Sequence, residues 1–351
     1  MTATATPTTQ GSYSGVAVRR QVRWLIVSVV VVIIVTLLSL MVGSRPISPA
    51  ALWDVIMGAG TAEARAILLD LRLPRTLIGL LGGAAFAVAG VIMQGHTRNP
   101  LADPGLLGVG AGASVAVVLA ISLLGLTTPV GYLWFSFGGA AIAAIIVMAF
   151  GVLGGRRRRD SSPATLVLAG AAVTALLGAI TGIVLLLDAA TLDVYRFWTV
   201  GSLAGGRGFD ILLPVLPFLA VGMIIALAHG STLDSLSLGD DIARSLGRKL
   251  LPARLTGLGA VTLLVGAAVA CCGSIGFAGL VVPHAVRRLV GSGHRWLLPQ
   301  SALLGGALVV LADVVGRLVV HPAELPVGVV LGLLGAPVFL LIVMRMRAGR
   351  A

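Results

Sequence analysis

The chain has 351 residues, 58% of them hydrophobic and 11% charged, with a mean hydropathy of +1.05. A soluble globular domain carries about a quarter of its residues charged, so a soluble enzyme is excluded and a lipid bilayer is the solvent that suits most of this chain. The net charge of +12 comes from 25 Lys and Arg against 13 Asp and Glu. In so apolar a chain it reports first on which side of the membrane the loops lie, before any question of nucleic acid.

At about 20 residues per crossing, the length allows roughly eight to eleven membrane helices. Residues 1–18 are polar, Thr-rich and without apolar periodicity; they read as a disordered cytoplasmic tail and not as a targeting peptide. Residues 19–351 read as one transmembrane domain. Trp24 to Val42 is rich in Val, Ile and Leu and follows Arg19, Arg20 and Arg23, the pattern of a helix entering from the cytoplasm. Further apolar stretches lie at 76–95, 104–124, 132–153, 163–187, 211–228, 255–273, 297–318 and 327–344. Hydropathy alone would run 255–282 together, but Gly273, Gly276 and Gly279 weaken that helix and Pro283 interrupts the apolar run beyond it, which predicts a short further span over 276–290.

Charge placement decides between nine and ten spans. Ten, with both termini cytoplasmic, put eighteen basic residues inside and leave only Arg45, Arg65, Arg72, Arg75, Arg196, Arg207 and Arg317 outside. Nine would strand the Arg287 to Arg295 loop and the Arg-rich C-terminus on the outer side, against the positive-inside bias. The expectation is therefore an all-α integral membrane protein with ten transmembrane helices. The small-residue runs at 82–90 and 138–144 predict close helix packing. The likeness of GGAAFAVAGVI in the second span to VGAAVACCGSI in the seventh, which run in opposite directions, points to inverted repeats.

Three connections are informative. In the outer loop, Arg72 and Arg75 flank Leu73-Pro74 where positive charge is otherwise scarce. Paired hydrogen bonds to carboxylates of a docking protein and interfacial snorkelling both suit them. The inner turn Gln94 to Gly105 contains Asn99-Pro100-Leu101 and Pro104, which force a compact irregular connection; a gate and a simple tight turn are both open. The inner loop 229–254 places Leu238, Ile242 and Leu246 at i, i+4 and i+8, with Asp240 and Asp241 at the start, Arg244 towards the end and Gly247 as a C-cap. That is a short amphipathic helix, fit for lipid or for the groove of a partner.

No G-x-x-x-x-G-K-[ST], G-x-S-x-G or H-E-x-x-H occurs, so any ATP must be hydrolysed by a partner and no intramembrane hydrolase is indicated. Asp313 lies inside a span and Asp188 at the edge of another, too few acids for an ion-coupled carrier; Asp313 stands four residues before Arg317, the spacing of an ion pair. His96, His229, His284, His294 and His321 are scattered, and no metal site is expected from this chain alone. Adjacent Cys271 and Cys272 read as buried thiols.

The motifs LRLPRTL (71–77), QGHTRNPLADPGLLGVGAGAS (94–114), FWTVGSL (197–203), LSLGDDIARSLG (236–247), GFAGLVVPHAVRRLVGSGHRWLLP (276–299), ADVVGR (312–317) and ELPVGVVLGLLGAPVFL (324–340) resemble the FecCD family in order and in detail. These are permease subunits of bacterial ATP-driven importers for ferric siderophores, haem and cobalamin, and the ferric enterobactin type is the nearest in RNPLADPGLLGV, YRFWTVGSL and GHRW. The resemblance implies the ten-helix type II ABC importer permease fold in the cytoplasmic membrane. It also implies a second permease chain, identical or paralogous, two ATPase subunits that carry ATP and Mg, and an extracytoplasmic substrate-binding protein. No cofactor is expected on this chain. Arg72, Arg75 and Arg317 match arginines that contact acidic residues of the binding protein, and Asn99, Pro100 and Leu101 match a cytoplasmic gate. Leu238, Gly239, Asp240, Ile242, Ala243, Leu246 and Gly247 match the coupling helix that sits in the ATPase. The family's second gate segment matches Ser162-Pro163-Ala164-Thr165, where Pro163 departs from the pattern and no gating role is assigned. Import of haem or cobalamin is the alternative within transport; a receptor or scaffold without translocation is the alternative outside it.

Overall fold

The computed structural model describes residues 10–43, 45–156, 163–204, 208–320 and 323–348, and among these every regular element is helical. In chain order they are α1 (Gln10–Met41), α2 (Pro49–Ile56) and α3 (Ala62–Arg65), which runs through a π-helical stretch (Ala66–Arg72) into α4 (Leu73–Thr97). A 3-10 turn (Pro104–Leu107) precedes α5 (Val109–Leu124), α6 (Pro129–Arg156), α7 (Pro163–Leu187), α8 (Ala189–Thr199) and α9 (Phe209–Ala228). Then come α10 (Gly230–Ser237), α11 (Asp240–Ser245), α12 (Leu250–Cys272), α13 (Ala278–Val290), α14 (His294–Val319) and α15 (Val327–Ala348). The polar stretch expected to be a tail over 1–18 is helical from Gln10 onward, because an apolar helix extends cheaply into neighbouring residues once nucleated; residues 1–9 lie outside the described ones. Ser162, Arg207 and Arg157 to Arg159 also lie outside them.

All ten stretches expected to cross the membrane are helical, as α1, α4, α5, α6, α7, α9, α12, α13, α14 and α15. Eight of these lie in stretches long and apolar enough to span by length and composition, whereas α5 has 16 residues and α13 has 13. At about 1.5 Å per residue, α13 covers roughly 20 Å of a hydrocarbon core about 30 Å thick. The shortfall has one cause in both. After α4 ends at Thr97, the chain turns back into the bundle, so that the ring of Pro104 lies against Gly279, which itself abuts the carbonyl of Phe86 on α4. Helix α5 therefore begins well inside the bundle. From the opposite end, Gly273 to Phe277 run without regular structure before α13 begins, and Ser274 lies against Gly110 near the start of α5. Irregular backbone at this depth is tolerated because it is buried in protein.

Helix α4 is the axis of the molecule, buried along nearly its whole length and packed against α14, α12 and α13. Where no hydrophobic force pulls helices together, close approach of backbones does the work, and small residues permit it. Gly83 meets Gly305 at the crossing of α4 and α14, Gly90 meets Gly279 at that of α4 and α13, and Gly112 meets Gly139 at that of α5 and α6. A Cβ at any of these positions would overlap the facing carbonyl or its neighbours. By contrast α1 and α7 leave most of their apolar side chains exposed, as lipid-facing helices do. Residues 47–68 build a satellite core of Ile47, Leu52, Val55 and Leu68 at the start of α4.

Candidate functional site

The two ends of α4 carry two different polar assemblies. At its N-terminal end, Arg72, Arg75 and Arg317 come together although 245 positions separate the first from the last. Arg72 closes the π-helical stretch and donates to the carbonyls of Leu40 (2.6 Å), Met41 (3.0 Å) and Arg45. Arg317, in the last turn of α14, donates to the carbonyls of Ser39 (3.0 Å) and Val42 (2.7 Å) and to Ser39 Oγ (2.7 Å). The final carbonyls of α1 have no partners within their own helix, and two buried guanidinium groups supply them.

Arg75 holds a different set. Its Nε and Nη2 bond Asp313 at 3.0 and 2.7 Å, and its Nη1 bonds Glu324 at 2.8 Å. Asp313 also accepts from Arg317 at 2.9 Å, so the expected i, i+4 pair is present and is one side of a triad that bridges α4 and α14. Neither Asp313 nor Arg317 is more than 3% exposed at the side chain, whereas Glu324 is 30% exposed. A cavity of about 660 Å³ opens here, lined by all three arginines together with Arg45, Glu63, Asp70 and Glu324. Glu324 and the α1 carbonyls were not singled out in the sequence. Their partners are more than 200 positions away in several cases, and no local signal marks them.

At the other end of α4, Arg98 adopts a left-handed conformation (φ 51°) as the C-cap, and the turn beyond it is built by side chains. Asn99 Oδ1 accepts from the amide of Leu101 at 3.0 Å, and Asp103 Oδ1 from that of Gly105 at 2.8 Å. Helix α7 packs on this turn, where Gly170 leaves room for the carbonyl of Leu106. Asn99, Pro100 and Leu101 are thus the mouth of the re-entrant segment that leads to α5.

Beside them lies α11. Gly239 (φ 109°) turns the chain from α10 into it and Gly247 (φ 79°) turns the chain out, both in conformations that favour glycine. Ala243 is fully buried, while Leu238, Ile242 and Leu246 are 58%, 49% and 59% exposed. Asp240 faces inward and is held by Arg98 at 3.2 Å and Arg254 at 2.7 Å, which ties α11 to the end of α4 and the start of α12. Asp241 pairs with Arg244 at 2.7 Å on the exposed side. Among the residues expected to touch a partner here, Asp240 and Ala243 are internal anchors, and Leu238, Ile242 and Leu246 are the free face.

The histidines that look scattered in the sequence are partly assembled at this same end. His96 stacks on His229 with ring centroids 5.4 Å apart, and His294 Nδ1 lies 2.6 Å from Asp234 Oδ1. Burial, with Arg248 and His294 nearby, holds the His229 imidazole below its ordinary range. Among the described residues, no group of three or more such side chains is placed to hold a metal ion. Asp188 caps α8 through Thr191, whose hydrogen bonds keep that carboxyl below the usual carboxylate range.

The pattern of the FecCD transport family matches residues 30–345. Ferric enterobactin transport system permease protein FepD of Escherichia coli is 44% identical over 319 residues, covering 91% of this chain and 94% of that protein. Hemin transport system permease protein HmuU of Yersinia pestis is 39% identical over 324 residues, covering 92% and 95%. A solved structure of a metal-chelate type ABC transporter in an inward-facing conformation is 29% identical, with a TM-score of 0.79 over 92% of this chain and 99% of its own length.

Proposed function

We propose that this chain, which belongs to the FecCD transport family, is the permease half of an ATP-driven importer that moves a ferric siderophore across the cytoplasmic membrane by alternating access. A second permease chain completes the pathway. An extracytoplasmic binding protein delivers the substrate to the cavity lined by Arg72, Arg75 and Arg317, and two ATPase subunits supply ATP and Mg at the α11 end. Both termini are then cytoplasmic, in keeping with the distribution of arginines in the loops.

The observation that carries this reading is α11. A loop helix that buries Ala243 and ties the half-buried Asp240 to its own bundle, yet turns Ile242, with the flanking Leu238 and Leu246, outward is built to receive a partner. Its anchors also suit a transmission element. Closure of the ATPase pair would displace α11, and the Asp240 pairs would carry that movement to Arg98 and Arg254, at the ends of the two most buried helices. Arg98 directly precedes Asn99, Pro100 and Leu101, the proposed gate. A shift of α11 therefore acts on the mouth of the re-entrant turn without a long chain of contacts, and nucleotide biases the two states by binding one of them better.

The ferric siderophore is favoured over haem by the higher identity to the enterobactin permease than to the hemin permease, 44% against 39%. Growth decides it. A strain lacking this chain should fail on a ferric catecholate siderophore as sole iron source and grow normally on haem or with limiting cobalamin. Loss of growth on haem or cobalamin alone would reassign the substrate.

A further inference from the structure

Arg72, Arg75 and Arg317 share one cavity but differ in how their hydrogen bonds are committed. Arg72 is taken up by the carbonyls of Leu40 and Met41 at the end of α1 and of Arg45 just beyond it, and Arg317 by Ser39, Val42 and the buried Asp313. Two of the nitrogens of Arg75 are taken up by Asp313. One cationic edge remains on a replaceable partner, Arg75 Nη1, which faces Glu324 at the rim of the cavity. Glu324 is partly exposed and sits in the connection before α15, one residue ahead of Leu325, whose amide bonds the carbonyl of Gly316 on α14.

We propose, resting on the docking of a binding protein at this cavity, that Glu324 is an internal stand-in for that protein's carboxylate: it occupies Arg75 Nη1 in the undocked importer and is exchanged for the incoming carboxylate on docking. The exchange trades one charge-assisted hydrogen bond for another of the same kind, so it costs little in either direction. It gives the importer a way to hold its receptor cation paired while no partner is present and to release the binding protein after delivery. Arg72 and Arg317 then act as positioning residues, fixing the end of α1 and Asp313 so that Arg75 presents that edge to the cavity. Glu324 sets the docking affinity by competition, and its neighbour Leu325 stays tied to α14 throughout.

The complete importer in lipid nanodiscs is titrated with the extracytoplasmic binding protein isolated with the native complex. Exposed ion pairs of this kind contribute up to about fivefold in an equilibrium, so Glu324→Gln should tighten docking by roughly that factor. Asp70→Asn removes the same charge from the same cavity and should change affinity by clearly less, since among the described residues Asp70 makes no ion pair with Arg75. Glu324→Asp, which keeps the charge on a shorter arm, should fall between wild type and Glu324→Gln, and serves if the Gln variant does not assemble. Unchanged or weaker docking by Glu324→Gln, alongside weaker docking by Arg75→Gln, would overturn the exchange and leave the docking surface standing. Equal tightening by Glu324→Gln and Asp70→Asn would also overturn it, as an effect of the cavity's overall field. Unchanged docking by Arg75→Gln would remove the docking surface and the exchange with it.

Discussion

Arg72 shows how a single buried cation can have a structural task inside a functional surface. Its guanidinium bonds the carbonyls of Leu40 and Met41 at the end of α1 and of Arg45 just beyond it, and the Met41 carbonyl also accepts from the amide of Ile47. Removing it takes the charged donor from these half-buried carbonyls, and hydrogen bonds from charged donors are the stronger ones. Arg72→Ala should therefore lower the stability of the purified chain by about 2 kcal/mol or more, read as an earlier thermal unfolding midpoint in detergent. Arg72→Lys should recover only part of the loss, because an ammonium cannot reproduce a planar fork across three acceptors. An unchanged midpoint in Arg72→Ala would show that α1 is held by its packing on α14 alone.

At the scale of the element, α11 separates two kinds of residue that a sequence motif lumps together. Ile242→Asp places a charge on the exposed stripe and should leave the unfolding midpoint where it is while weakening ATPase association at least about tenfold, as loss of a central apolar anchor does. Ala243→Asp places the same charge in the fully buried position and should fail at folding instead. Co-purification of the ATPase with each variant, next to its unfolding curve, checks the pair. The helix was legible in the sequence in part: Ile242 and Leu246 lie between Gly239 and Gly247, whereas Leu238, at the same helical spacing, caps α10 and is separated from α11 by Gly239 (φ 109°). That Asp240 faces inward was not legible, since its partners Arg98 and Arg254 come from other elements. The same limit applies at the other end: the Asp313 to Arg317 pair is a local spacing, whereas Arg75 with Asp313 joins residues 238 positions apart. The histidine cluster was missed for this reason too, because His96, His229 and His294 have no shared spacing.

The whole molecule is a bundle in which all ten apolar stretches are helical, eight of them in stretches long enough to span and two shortened. Apolarity reports that a residue is out of water, not how deep it lies, so 104–124 read as an ordinary span, while the glycines and Pro283 marked 276–290 as a short one. In fact α5 and α13 start inside the bundle, each after a stretch of irregular chain from the opposite end, and Gly90, Gly279 and Pro104 meet where the two re-entrant stretches approach α4. Such a centre, with shortened helices held by close backbone contact, can shift between arrangements without breaking long helices, which suits alternating access. ATP-driven transport is what these parts are proposed to perform together. It is tested most directly by reconstituting this chain with its second permease and ATPase subunits in proteoliposomes, supplying the binding protein with radioiron-labelled ferric catecholate siderophore, and measuring accumulation in the compartment opposite the binding protein. Uptake should require ATP on the α11 side and be lost in Ile242→Asp; uptake independent of ATP, or none with all subunits assembled, would rule out ATP-driven import by this chain.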